Sequence, residues 1–338
     1  MRRIVLFITF IFSSFSANTQ ATASKIYFGI YVKNLMVEER AKEKSNRFTV
    51  DAYWWIRYEV PMDSSINKEI ENIEFVNAEI TENEIDDRYA FTDSATQKRF
   101  AYVTGHIKGD FLYYPNYRHY PYDKSILPIT VESKNLISEK YRLMTDSNSY
   151  EKSLEKIMGI ANDIEIPGFS ITTSRYKEDE KIYETNFGDP RFKRHLKYSR
   201  LNFEIILERK STTFLLKILI PIVLIVLMAY LVFFVPAAQL EVAVGLTVTS
   251  LLACIALQLT LSADIPVTGY LISTDDIFYL SYSLITFAMM QTVYTYRLEK
   301  RNKIKLARRL EILSRWIYPS IFIVISLFII LRGVYSRP

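Results

Sequence analysis

Beyond Arg209 the chain turns abruptly apolar, in four runs: Ser211–Val235, Leu240–Leu261, Ile277–Tyr296 and Trp316–Leu331. Each is close to the roughly 20 residues that carry a helix across a hydrocarbon core. Helices are expected at about 211–235, 240–261, 275–297 and 314–333, and four spans return the chain to the side where it started. The stretch between the third and fourth runs holds Arg297, Lys300, Arg301, Lys303, Lys305, Arg308, Arg309 and Arg315 against Glu299 and Glu311. The stretch 262–274 holds only Asp264. The bias of Lys and Arg toward the cytoplasm therefore sets 297–315 inside and 262–276 outside, together with everything before residue 211.

The second run is the unusual one. It reads QLEVAVGLTVTSLLACIALQLTL from Gln239 to Leu261, with one acid and four Thr or Ser among apolar residues. At about 3.6 residues per turn, Glu241, Gly245, Thr249, Leu252, Ala256 and Leu259 share one face. A carboxylate in a membrane helix is costly and normally faces water or a partner. Several copies of such a helix around an axis would line a pore. Glu241 would form a ring at one mouth, Gly245 a wide ring, Thr249 a hydroxyl ring, and Leu252, Ala256 and Leu259 an apolar constriction. Rings of acids favour cations.

The first 23 residues have a basic start (Arg2, Arg3), an apolar core from Ile4 to Phe15 and the exit Ala21-Thr22-Ala23. They are expected to be a secretory signal peptide, with residues 24–210 forming an exported domain. Short strand-like runs recur there, at Lys25–Val32, Phe48–Val60, Phe100–Tyr114, Ile126–Glu132, Ile164–Tyr176 and Leu201–Arg209, separated by polar turns. That pattern predicts a sandwich of two packed sheets. Phe48–Val60 alternates poorly and is expected to be covered on both faces. The one cysteine, Cys254, falls in the second apolar run, so the exported domain holds without disulfides. The three histidines (His106, His119, His195) argue against a dedicated metal site, and no cofactor is expected. The spans carry no His, paired acids or Ser–His arrangement for hydrolysis or metal chemistry, so an enzyme is not expected. The basic run beside two spans speaks for topology rather than nucleic-acid binding.

An exported β-sandwich followed without a linker by four spans resembles the pentameric ligand-gated ion channels, the Cys-loop receptor superfamily. Tyr120, Pro121, Tyr122 and Asp123 resemble that family's aromatic-Pro-aromatic-Asp loop. Arg209 matches the Arg before its first span, Pro221 the Pro of that helix, and Pro266 the Pro between its second and third helices. The two cysteines that flank the Pro loop in eukaryotic members are missing, and the connection between the last two helices is short. Both features resemble the bacterial branch.

The resemblance implies an immunoglobulin-like sandwich on a four-helix transmembrane bundle, assembled as a homopentamer in the inner membrane among its lipids. The N-terminal domain and the C-terminus would face the periplasm. It implies a ligand-gated channel, which the Glu241 ring would make selective for monovalent cations, with Tyr120, Pro121, Tyr122, Asp123, Arg209 and Pro266 coupling the sandwich to the pore. The ligand would bind between adjacent sandwiches, where aromatic faces can hold a cation. Tyr53 lies on the corresponding strand of the complementary side, Tyr89 and Phe91 in the preceding loop region, and Tyr183 and Phe187 in the hairpin between Tyr176 and Tyr198. An amine, an acid, a divalent ion or protons all fit that composition. The competing class is a membrane-anchored periplasmic sensor or adhesin whose helices do not conduct.

Overall fold

The computed structural model describes residues 23–38, 46–61, 70–137, 140–151, 157–188, 190, 195–262 and 268–335. The segment expected to be a signal peptide, residues 1–23, falls almost wholly outside that range, and so does Pro266. Among the described residues nine strands come first: β1 (Ser24–Glu38), β2 (Asn46–Glu59), β3 (Ile73–Phe75), β4 (Ala78–Thr92), β5 (Arg99–Tyr113), β6 (Lys124–Ile137), β7 (Tyr141–Thr145), β8 (Phe169–Tyr183) and β9 (Leu196–Arg209). Four helices follow: α1 (Ser211–Tyr230), α2 (Leu240–Ser262), α3 (Ser273–Lys300) and α4 (Ile304–Tyr335). All four are long and apolar enough to cross a membrane.

The strands form two sheets, ordered β4-β5-β2-β1-β7 and β3-β6-β9-β8. Neighbours pair antiparallel except β1 and β7, which run parallel. Alternation decides what is buried, because successive strand side chains point to opposite faces. Phe48, Val50, Ala52, Trp54, Ile56 and Tyr58 of β2 turn inward and meet Leu201, Phe203, Ile205 and Leu207 of β9 in one core. The opposite face of β2 is only half covered, so the expectation of a strand buried on both sides is corrected. Adjacent tryptophans hide the alternation in the sequence. Trp54 enters the core, while Trp55 lies over β1 on the outer face. A β-carbon at Gly29 would stand 2.2 Å from that Trp55 indole, so the close approach requires glycine there.

β4 is a strand where the sequence reading has none, and Tyr89 and Phe91 lie in it rather than in a loop. Most of it is exposed, and Glu79, Glu82, Glu84, Asp86 and Asp87 interrupt any apolar period. Such charge on an edge strand blocks pairing with further strands.

The chain passes from sheet to helix with a single intervening residue, Lys210. α1 contains Pro221 and ends in a 3-10 turn at Leu231–Phe234. Arg315 of α4 closes that turn: its Nε donates to the Phe233 carbonyl at 3.0 Å, and its guanidinium lies 4.4 Å from the Phe234 ring centre. Tyr318 stacks on Tyr230 at 6.0 Å and packs against Phe233 at 5.3 Å. The basic residues expected in a connection lie mostly on helix ends. α3 runs to Lys300 and α4 begins at Ile304, ten residues earlier than expected, so only 301–303 connect them. Much of α4 presents apolar side chains outward, including Trp316, Val324 and Phe328. In a helix of this length such a surface marks contact with lipid or protein.

Candidate functional site

Three places gather the residues singled out from the sequence. The first is α2. Glu241, Gly245, Thr249, Leu252, Ala256 and Leu259 are all exposed, with Leu252 and Leu259 at 61% and 69%. The buried side of the same helix is Ala243, Thr247, Ser250 and Cys254, packed toward the other helices. Helical periodicity at steps of four and three thus separates two stripes, one spent on the bundle and one left free. The hydroxyls of the buried stripe are spent inside the helix. Thr247 donates to the Ala243 and Val244 carbonyls at 3.1 and 3.0 Å, and Ser250 to the Leu246 carbonyl at 2.8 Å. Those two groups are satisfied inside their own helix, whereas Thr249 stands on the free stripe. Apart from the adjoining residues and backbone of its own helix, no atom of the described residues lies within 4 Å of where a β-carbon at Gly245 would sit. Glu241 occupies the first turn of α2, where the helix dipole favours an acid.

The second place is the joint between sheets and helices. Asp123 is buried, and Arg209 holds it with two charge-assisted bonds, Nε to Oδ1 at 2.9 Å and Nη2 to Oδ2 at 3.1 Å. The guanidinium lies 4.9 Å from the Tyr120 ring centre and 4.6 Å from that of Phe169. Tyr120 and Pro121 are joined by a cis peptide bond. The loop that carries them is tied to α3 and the residues just before it. The Thr274 hydroxyl donates to the Tyr120 carbonyl at 3.2 Å, and the Tyr117 N–H donates to the Tyr270 hydroxyl at 2.9 Å. On the other side the loop reaches α1 and α4, where Pro121 and Tyr122 border a small apolar gap lined by Ile218, Leu219, Ile329 and Ile330. The Tyr122 ring lies so close over Gly333 that a β-carbon there would approach it to 2.8 Å. One loop therefore touches three helices, and its acid is locked to the last residue of β9.

The third place is the set of aromatics. Tyr53 stands on the outer face of the first sheet, 5.3 Å from the His106 ring, with Lys33 Nζ 5.5 Å from its centre. Beneath it Asp51 bonds His106 Nε2 at 2.8 Å and Lys33 at 3.2 Å. Burial pushes the Asp51 carboxyl up, but those two hydrogen bonds outweigh it and hold the group below its ordinary value of 3.8. Tyr89 and Phe91 lie 6.2 Å apart on β4 and extend onto β5 through Tyr102 and Phe100, at 5.1 and 6.0 Å. Tyr183 and Phe187 belong to the other sheet and its hairpin, 5.4 Å apart, with Tyr198 5.6 Å from Tyr183. The Tyr183 hydroxyl donates to Glu132 at 3.0 Å, and Glu132 is buried against Arg200. Burial and the Glu132 carboxylate push the Tyr183 hydroxyl above its ordinary value.

Within the described residues the five aromatics thus form three separate groups on two sheets. Sequence reasoning missed the polar partners Lys33, Asp51, His106, Glu132 and Arg200. The signal was present in part: Asp51 and Tyr53 stand two apart on one strand and so share a face. Their partners on β1 and β5 need the strand register, which the sequence alone does not supply.

No family model matches the chain, and no curated protein matches it. What the residues can do rests on their own chemistry. An exposed stripe that is acidic, then hydroxylated, then apolar can line a water path through a membrane. A buried Asp–Arg pair at the joint can transmit movement of the sheets to the helices. The aromatic groups offer ring faces beside carboxylates and cations, able to hold a small charged ligand.

Proposed function

We propose that this chain forms a homopentameric, ligand-gated, cation-selective channel like the pentameric channels its sequence resembles. The observation that carries the proposal is the exposed stripe of α2. All six residues from Glu241 to Leu259 point away from the helices of their own chain, and an acid among them needs water or a partner at membrane depth. Five copies around an axis give both. Glu241 rings the cytoplasmic mouth and concentrates cations. Thr249 offers hydroxyls to a partly dehydrated ion, and Leu252, Ala256 and Leu259 gate by dewetting.

The basic end of α3 faces the cytoplasm of an inner membrane, and the sandwich and the last turn of α4 face the periplasm. Residues 1–23 direct export. The ligand enters between adjacent copies, where the outer sheet face with Tyr53, Tyr89 and Phe91 meets the neighbour's hairpin with Tyr183 and Phe187. A ligand that touches both copies better in one arrangement shifts the population toward it. Asp123, Arg209 and the Pro266 connection pass that shift to α2.

The test is current through planar bilayers holding the purified protein in a NaCl gradient, while pH is stepped and small amines and calcium are added. Reversal toward the cation equilibrium potential is expected, and Glu241→Ala should move it. Reversal toward the chloride potential would sink the selectivity assignment. A well-folded monomer would leave the anchored sensor or adhesin in its place.

A further inference from the structure

At the end of the bundle remote from the sheets, the turn between α1 and α2 is gripped by a residue of α4. Arg315 holds it through main chain and side chain together. The Tyr230 hydroxyl, at the end of α1, donates to the Arg315 carbonyl at 3.2 Å. In the other direction Arg315 Nε donates to the Phe233 carbonyl at 3.0 Å, and its guanidinium lies 4.4 Å from the Phe234 ring centre. Carbonyls in the last turn of a helix have no donor within that helix, and at membrane depth such a group is costly to leave unpaired. Arg315 is half-buried, whereas Trp316 beside it is exposed. Tyr318, three residues on and so on the same side of α4, packs against Tyr230 and Phe233 with ring centres at 6.0 and 5.3 Å.

We infer that Arg315 is a positioning residue for Glu241: it sets where the first turn of α2 stands, from a helix that contributes nothing to the free stripe. Five residues, Val235 to Gln239, separate the gripped turn from α2. They have little freedom. The Val235 N–H donates to the Val232 carbonyl at 3.1 Å, the Gln239 N–H to the Pro236 carbonyl at 2.8 Å, and the Ala243 N–H to the Gln239 carbonyl at 3.3 Å. Pro236 fixes one more backbone angle, and Val232, Phe233 and Ala237 are buried. A displacement of Phe233 is therefore passed on to Glu241 rather than absorbed on the way. An arginine at membrane depth is costly and turns to a partner. Here the partner is backbone and ring together, a pairing that suits a planar guanidinium and not the ammonium of lysine. The grip follows from these contacts alone, while its consequence for ions rests on the channel reading.

In a Cys254→Ala background, Ala237→Cys places a buried thiol in the turn. In the purified full-length protein that thiol should react slowly with a charged reagent. Arg315→Gln should speed the reaction by about tenfold or more, the worth of one charge-assisted hydrogen bond. Arg315→Lys should be nearly as fast as Arg315→Gln, while Trp316→Ala, on the outward side of the same helix, should leave the rate as it was. Phe234→Leu keeps the Arg315 hydrogen bond and removes only the ring, so it should give a smaller rise. That arm stands if Arg315→Gln fails to assemble. In bilayers under a NaCl gradient, Arg315→Gln should lower the ratio of cation to chloride permeability. In a Glu241→Ala background it should lower the ratio no further, because both changes act through one ring. A thiol still protected in Arg315→Gln, full protection in Arg315→Lys, no rise in Phe234→Leu, or losses that add to those of Glu241→Ala would each overturn the inference. A wild type that passes no current would remove the channel reading, and the thiol rates would then decide whether Arg315 holds the turn.

Discussion

Tyr150 shows how a few side chains hold the sandwich together without a disulfide. Its hydroxyl donates to the Ile30 carbonyl at 2.9 Å, lies 2.5 Å from the Tyr176 hydroxyl and receives the Ile30 N–H at 2.8 Å. Tyr176 receives the same N–H at 3.1 Å, so two phenols from distant segments share one residue of β1. Burial pushes the Tyr150 hydroxyl up to about 12 from an ordinary 10.0, and burial pushes Tyr176 up as well. A group whose proton is held more tightly in the folded state lends stability below its unfolded pKa and loses it as pH climbs through the folded one. The urea midpoint of the purified protein should therefore hold steady to about pH 10 and fall between pH 10 and 12. Tyr150→Phe should be less stable at pH 7, by about 1 kcal/mol for the lost hydrogen bonds, yet show a shallower decline in that window. An unchanged decline would mean that other groups set the alkaline limit.

At the scale of whole elements, β4 and α2 mark the limits of what could be read from the sequence. α2 was legible because one face of a helix repeats at a fixed step, and the acid, glycine and threonine of that face fall among apolar residues. β4 was not. A strand exposed along most of its length has no apolar alternation to betray it, and only its pairing with β5, from Ala78–Phe111 to Thr92–Arg99, makes it a strand. For the same reason Tyr89 and Phe91 were legible as aromatics but not as neighbours of Tyr102 and Phe100. Within α2 the two stripes can be told apart by chemistry. In a Cys254→Ala background, single cysteines at Thr249, Leu252 and Ala256 should react with a charged, water-soluble thiol reagent. Cysteines at Thr247 and Ser250 should react more slowly by an order of magnitude or more, since thiol attack needs exposure. Equal rates on both stripes would contradict the separation of faces.

For the molecule as a whole, the joint decides whether sheets and helices act as one body. Side-chain exposures of 1% for Asp123 and 11% for Arg209 put this pair beyond the range of an ordinary surface bridge. Removing one partner leaves a buried charge unpaired, which costs about 3–5 kcal/mol. Asp123→Asn or Arg209→Gln alone should therefore lower the melting temperature and weaken any gating response. The exchanged pair, Asp123→Arg with Arg209→Asp, should recover part of both losses. Loss without any recovery in the exchanged pair would show that the surrounding rings of Tyr120 and Phe169, rather than the charge match, carry the joint. That Asp123 and Arg209 both lie where the sandwich couples to the helices was readable from the sequence resemblance. The ring cage around the guanidinium was not, because Phe169 sits 40 residues before Arg209 and approaches it only through the β8–β9 register.

Between the last residue of β9 and the first of α1 stands Lys210 alone, and the chain there has no slack. Strand and helix are joined in fixed angular phase, because each added residue would turn α1 by about 100° about its own axis. The guanidinium clamped at Arg209 sets the zero of that angle. Side chains from Leu216 onward inherit their bearings from it, so the number of residues at this junction acts as a dial setting for the whole bundle rather than as a spacer.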